Sequence, residues 1–408
     1  MNKAAFSPRL PSLDGWRAIS ILMVLGAHTG YIVSSSMQHS FRWEDGTLGV
    51  RCFFIISGFL ITWLMLLERA QTGTVSLKHF YIRRCLRILP VYGAFLIVLF
   101  GFQLLTPFRE RNVTWIALLT FTRNYIEGTM ASGHFWSLSV EEQFYLIWPT
   151  VFLYFCARKT IKSAAYILVV PILSAPFFRA LGYVSNYPAH LMRIDSGLLQ
   201  QLFKSVSFFD NYDSLAFGCL AALLLFTRYE ILEKRFQEKP LSVTWIAGGL
   251  VLFPYIADRL GIPVWIKVPF LDTLEAICFS MLILQSVIEP RLWIYRALNW
   301  RWVRQIGVLS YSLYVWQQIF WVRPWLGGDV PKTTSIWWVW CWLLPTFAVA
   351  FTSYYGLERP LFKLRSRFRD VNISAQVEVR PVASAILSFE KPRPPLPSAP
   401  SSNIDEDS

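Results

Sequence analysis

Runs of about twenty apolar residues, broken by short polar and basic stretches, recur along this chain of 408 residues. A helix of that length crosses a hydrocarbon core of ~30 Å. Ten such runs are predicted as spans, at about 16–34, 48–67, 87–106, 138–157, 163–182, 211–227, 241–258, 271–289, 306–324 and 336–356. A further apolar piece, Val113–Phe121, is too short to cross and is read as interfacial or re-entrant. The predicted fold class is therefore all-α, a polytopic transmembrane helix bundle. No internal repeat is found, which weakens the case for an inverted-repeat transporter.

Composition agrees. The chain is 54% hydrophobic and 16% charged, against about 25% charged in soluble domains. A net charge of +13 suggests nucleic acid in a soluble chain. Here the basic residues sit in short loops between apolar runs, so they are read as orientation signals and no nucleic-acid partner is expected. Placing the N-terminus inside puts 24 of the 39 lysines and arginines on the cytoplasmic side and twelve on the other. Both termini are then cytoplasmic. An eleventh span at 113–126 would reverse every later loop and destroy that bias.

Residues 1–369 form the predicted membrane domain. From Asp370 the composition turns proline- and serine-rich, and 370–408 is expected to be a disordered cytoplasmic tail. Its prolines also suit a polyproline ligand. The six cysteines are scattered, all but Cys85 inside apolar segments, and are read as packing residues rather than disulfides or metal ligands. The N-terminal apolar run has no small-residue cleavage site and is expected to stay uncleaved.

The candidate chemistry begins in the first run, Leu13–Gly30, which carries Asp14, Arg17 and His28. Ionisable groups inside a span are costly and face protein or a wet cavity. Arg17 and His28 are eleven residues apart, three turns plus ~20°, so they leave the helix on one face about 16 Å apart along its axis. Asp14 is placed to cap the helix and pair with Arg17. Anchoring alone also accounts for Arg17, whereas the depth of His28 favours function. At the start of the third span, Arg83, Arg84 and Arg87 lie on one turn. Beside an anchoring role, their forked donors match phosphate oxygens.

A third cluster runs from His134 to Pro149. Glu141, Tyr145 and Trp148 form one stripe, and burying Glu141 or Glu142 demands a partner; Glu142 is free to face water. Glu141 lies at a depth similar to that of His28 and suits the role of its orienter. Ser57 and Gly58 sit mid-span, where small residues permit close helix approach or ligand access. Asp213 is read as a helix cap, and Glu358-Arg-Pro360 as a capping or loop-pairing element.

Together these stretches resemble the acyltransferase 3 family, membrane enzymes that O-acylate extracytoplasmic glycans. The matching pieces are Leu13-Asp-Gly-Trp-Arg17 with His28, Phe53–Leu60, Arg84-x-x-Arg87, Trp136–Tyr145, Ser310-Tyr-Ser-Leu-Tyr314 and Glu358-Arg-Pro360, in family order. The resemblance implies ten helices, an acyl-CoA co-substrate reached from the cytoplasm and a glycan or glycolipid acceptor outside. It also implies an activity that needs Arg17 and His28, and a donor contact at Arg84 and Arg87. One position departs from the family: Tyr314-Val-Trp-Gln317 stands where Tyr-Leu-Trp-His is common, and glutamine carries no proton.

The expected reaction is transfer from acyl-CoA, acetyl-CoA foremost, to a sugar hydroxyl. His28 is general base or carrier of a covalent acyl group, with Glu141 and Arg17 completing the catalytic set. Arg84, Arg87, Ser57, Tyr145, Trp136 and Tyr311 are the expected substrate-binding residues. No metal or resident cofactor is expected. The protein is placed as a multi-pass component of a bacterial inner membrane in contact with lipid. A proton-coupled transporter relaying through His28 and Glu141, and a scaffold acting through the tail, are the alternatives.

Overall fold

The computed structural model describes residues 5–6, 10–32, 46–158, 161–186, 206–257, 259–326, 337–365 and 377–378. Among them the only strands are the residue pairs Ala5–Phe6 and Val377–Glu378, joined antiparallel. Everything else regular is helical. The helices are α1 Pro11–Ile32, α2 Gly46–Thr72, α3 Leu77–Leu105, α4 Asn112–Leu119, α5 Phe135–Arg158, α6 Ile161–Asn186 and α7 Phe208–Glu238. They continue as α8 Pro240–Val251, α9 Phe253–Ala257, α10 Val264–Ile288, α11 Trp293–Arg296, α12 Arg301–Val322, α13 Trp337–Ser353 and α14 Arg359–Arg365.

The described residues of each predicted segment are mostly helical, with one break between α8 and α9. The strand pair sets the two terminal segments side by side, while most of the expected tail lies outside the described residues. Among the described residues five helices are long and apolar enough to cross a membrane: α2, α3, most of α6, α7 and α10. Helices α1, α5 and α12 match them in length but lie outside that set. They are the helices that carry Arg17 and His28, Glu141 and Glu142, and Ser310–Gln318. The polar residues that lower their hydropathy are the candidate chemistry. The apolar piece at Val113 forms α4, eight residues long, far too short to cross.

Outward faces remain apolar. Ile97, Leu104 and Leu105 on α3, and Leu173 and Phe177 on α6, are exposed as a lipid-facing surface would require. Inside, α2 and α7 cross with their backbones in close contact. A Cβ built on Gly218 would stand 2.0 Å from the Ile55 carbonyl oxygen, and one on Gly58 would stand 2.0 Å from that of Leu215. Only glycine allows backbones this close, and in lipid such van der Waals contact holds helices together.

A buried ionic brace locks the same region. Arg179 donates to Asp213 at 2.6 Å and to the Asp210 carbonyl oxygen, and Thr273 donates to Asp213 at 2.8 Å. Arg51 pairs with Asp272 at 2.7 Å and with Glu275. Asp213 is therefore not the helix cap expected from sequence. Ser207 caps α7, and Asp213 six residues later is wholly buried against Arg179.

Away from this brace, Arg123 donates to Ser132 and to the carbonyls of Ile126 and Thr129, and Arg323 lies over the Trp338 ring. Burial lowers the Arg123 guanidinium from its ordinary value, opposed by nearby Glu110. Arg51, Arg123, Arg179 and Arg323 all lie on the side to which sequence assigned few cations. Each is held by protein partners rather than left to set orientation.

Candidate active site

The first motif acquires a physical reason for every residue. The Ser12 hydroxyl donates to the Ser286 carbonyl and the Trp16 indole to the Ser286 hydroxyl, both at 2.9 Å, pinning the start of α1 to α10. Gly15 admits the Leu298 backbone, whose oxygen would lie 2.4 Å from an added Cβ. Leu13 is buried. With both flanks fixed, Asp14 and Arg17 pair at 3.6 Å and Arg17 faces a cavity.

That cavity has two chambers. The larger opens among the start of α1, the first turns of α3, α12 and the turn at Glu358. The deeper lies between α1, α2, α3, α5 and α12. They share a wall made of Arg17, Leu60, Arg84, Arg87, Ser310 and Tyr311. Seven predicted site residues converge on the deeper chamber: Arg17, Ser57, Arg84, Arg87, Glu141, Tyr145 and Tyr311.

The arginines divide by partner. Arg83 pairs with buried Glu68 at 2.7 Å, and Glu68 also accepts from the Ser76 amide. Of the three arginines that sequence grouped on one turn, Arg83 is thus committed to Glu68. Among the described residues neither Arg84 nor Arg87 belongs to an ion pair, although both border the two chambers. Arg84 lies over the Tyr145 ring, 4.5 Å from its centroid. Two half-buried guanidiniums with no carboxylate in salt-bridge contact leave donors open to an anion from outside the chain.

Glu141 is held within the deeper chamber. The Ser57 hydroxyl donates to one carboxylate oxygen at 3.0 Å and the Tyr145 hydroxyl to the other at 3.1 Å. The predicted stripe on α5 is real: the Trp148 indole donates to Thr62 of α2 at 2.8 Å. Glu142 departs from expectation. Its Oε1 is buried and without a hydrogen-bond partner rather than facing water.

His28 stands apart from this group and lines neither chamber. Its Nδ1–H donates to the Val24 carbonyl at 2.9 Å, since a carbonyl only accepts, which leaves the lone pair on Nε2. Its ring meets the edges of Trp321 and Trp342, with centroids 4.6 and 6.4 Å away. Hydrogen bonds thus do not join His28 to Glu141: Val24 orients the imidazole, and Ser57 and Tyr145 satisfy the carboxylate. Trp136 also stays off the chamber wall and packs against Phe54, which lines it. The Tyr311 hydroxyl is spent on the Ile88 carbonyl at 2.8 Å, so Tyr311 offers a ring rather than a donor. Gln317 is wholly buried.

Sequence reasoning undervalued Glu358. It is buried, borders the larger chamber on a π-helical turn, Tyr354–Glu358, and accepts from the Ser312 hydroxyl. π turns cluster at functional sites, and the Glu-Arg-Pro match was the available signal. Tyr314 was also passed over. It lines the deeper chamber and bonds Ser137 at 2.5 Å and the His134 carbonyl at 2.7 Å. Among the described residues no group of His, Cys, Asp and Glu could hold a metal.

Comparison with known proteins agrees with this architecture. The family model described as an acyltransferase domain matches residues 10–355. The chain therefore belongs to that acyltransferase family. It is 26% identical over 381 residues to the peptidoglycan O-acetyltransferase OatA of Listeria monocytogenes, covering 87% of this chain and 56% of that protein. It is 25% identical over 378 residues to YrhL of Bacillus subtilis, provisionally named a peptidoglycan O-acetyltransferase, covering 86% of this chain and 55% of that one. A provisionally named O-acetyltransferase of Staphylococcus aureus strain COL is 28% identical over 337 residues, 75% of this chain and 50% of that one. The chain spans about half the length of these relatives. No solved structure matches.

Proposed function

We propose that this chain moves an acyl group, acetyl foremost, from cytoplasmic acyl-CoA to a sugar hydroxyl of a glycan or glycolipid outside a bacterial inner membrane. The observation that carries the reading is the two-chambered cavity with Arg84 and Arg87 on its shared wall. CoA is an extended molecule with phosphates at one end and a thioester at the other. The phosphates dock on the two unpaired guanidiniums, with Arg17 beside them. The pantetheine arm then carries the thioester past Ser310 and Tyr311 into the deeper chamber. The names of the relatives favour a cell-wall glycan as acceptor. Ten crossings with both termini cytoplasmic set the larger chamber at the cytoplasmic face, where the loop arginines are concentrated.

His28 is the base for the acceptor hydroxyl in this proposal, about 16 Å further along α1 than Arg17. Its Nε2 lone pair is the right form for proton abstraction, held by the Val24 carbonyl. Arg17 acts at the donor end, through charge. The transport alternative needs a relay between His28 and Glu141, and their hydrogen bonds run elsewhere.

The test is purified full-length protein in proteoliposomes, supplied with acetyl-CoA and a glycan acceptor. Mass spectrometry is expected to find the acetyl group on the glycan, with CoA thiol released in step. Failure to consume acetyl-CoA would overturn the donor assignment. His28→Ala is expected to lower transfer roughly 10²–10⁴-fold, with the apparent affinity for acetyl-CoA unchanged. Full transfer by that variant would remove His28 from the chemistry.

A further inference from the structure

We propose that Ser57 is a nucleophile that carries the acyl group covalently between donor and acceptor. The inference rests on the reading that acyl-CoA is the donor, and it goes beyond it by adding an acyl-enzyme step and naming its residue.

The geometry has the three parts that an activated hydroxyl requires. Ser57 lines the deeper chamber and donates its hydroxyl proton towards Glu141 Oε1 at 3.0 Å. Glu141 is held from behind by the Tyr145 hydroxyl at 3.1 Å on its other oxygen. Tyr145 in turn is fixed by the Arg84 guanidinium over its ring. Nucleophile, base and orienter in hydrogen-bond sequence are the diagnostic arrangement for covalent catalysis. Rigidity supports it. Ser57 precedes Gly58, where α2 and α7 touch most closely, and the Gly58 carbonyl accepts from the Cys219 thiol at 3.4 Å. A residue beside such a crossing keeps its place.

Position adds a reason. Arg84 contacts the orienter at one end of this relay and borders both chambers, so the donor-anchoring arginine and Ser57 line one cavity. His28 lines neither chamber, so direct attack by a hydroxyl activated at His28 requires the thioester to leave its cavity.

The step balances. The Ser57 oxygen attacks the thioester carbonyl as its proton passes to Glu141. The carbon–sulfur bond breaks, an ester bond forms, and the proton moves from Glu141 to the departing CoA thiolate. Attack by the acceptor hydroxyl then breaks the ester, forms the product ester and returns a proton to Ser57. No oxidant or second cofactor is needed.

The experiment uses the purified full chain in nanodiscs with radiolabelled acetyl-CoA and no acceptor, quenched in acid and digested. Expected are a burst of one CoA thiol per protein and one acetyl group on the peptide that contains Ser57. Ser57→Ala should lose burst and label, with transfer to glycan reduced on the order of a hundredfold or more. Its protection by CoA against thermal unfolding should stay at the wild-type level. Ser57→Cys should retain a label that neutral hydroxylamine strips, as a thioester requires. Label on another residue, transfer without burst or label, or Ser57→Ala within about threefold of wild type would each overturn the proposal. Wild-type protein that releases no CoA even with acceptor present would overturn the donor reading itself, and this step with it.

Discussion

Replacing Arg84 and Arg87 together by glutamate is expected to raise the KM for acetyl-CoA at least about a hundredfold. A hydrogen bond to a charged group contributes about 1.5–3 kcal/mol. Two guanidiniums on CoA phosphates therefore supply about 3–6 kcal/mol, or roughly 10²–10⁴ in affinity before coupling between the sites is discounted. The part of the loss due to phosphate contacts should fall on KM, because phosphates do not change charge during acyl transfer and the contact is equally strong in ground and transition states. Losing the Arg84 guanidinium over the Tyr145 ring should lower kcat as well. Arg87→Lys should give an intermediate KM, since lysine keeps the charge and loses the fork.

The fold should survive, because neither arginine is in an ion pair among the described residues. Steady-state kinetics over a range of acetyl-CoA, paired with thermal unfolding, checks this. An unchanged KM would remove both residues from the donor site. By contrast Arg83→Ala should lower the unfolding temperature more than it changes KM, because it leaves Glu68 buried and without its cation.

Gly218→Val is expected to eliminate folded protein, and Gly218→Ala to lower the unfolding temperature clearly. The added Cβ would meet the Ile55 carbonyl oxygen at 2.0 Å, an atom of rigid helix backbone. Relief requires α2 and α7 to part, and overpacking of this kind costs about 1–3 kcal/mol or more even for small additions. Valine adds two methyl groups to the same collision. Gly58→Ala should behave alike through the Leu215 carbonyl.

A second effect follows from the neighbour. Parting α2 from α7 shifts Ser57 relative to Glu141, so surviving Gly218→Ala protein should lose kcat while still binding CoA. Gly93→Ala is the control: nothing lies within 4 Å of its Cβ, and the helix gains up to about 1 kcal/mol from alanine. Size-exclusion profiles and thermal unfolding in detergent measure all four variants. Wild-type stability in Gly218→Ala would disprove the close crossing.

Much of this was legible along the chain. The apolar runs marked helical segments, and their polar interruptions marked the residues that now surround one cavity. Arg17, Ser57, Arg84, Arg87, Glu141, Tyr145 and Tyr311 were identified by charge or hydroxyl at depth, and the bundle brings all seven to one chamber. Period and hydropathy specify which residues leave a helix on its inward face, because lipid penalises a polar group anywhere else.

Partners were decided only in three dimensions. Glu141 and His28 lie at similar depth on different helices, and depth alone made them a pair. The packing of α2 against α5 instead brings Ser57 within 3.0 Å of Glu141, while His28 takes a carbonyl from its own helix. Asp213 turned from helix cap to counter-ion because α6 delivers Arg179 to it, and Glu358 turned from loop residue to cavity wall through a π turn. A buried charge must take whichever donor the neighbouring helices bring within reach. Sequence therefore determined which groups this protein holds inside the bundle; the glycine-tight crossings that set helix against helix determined which of them touch.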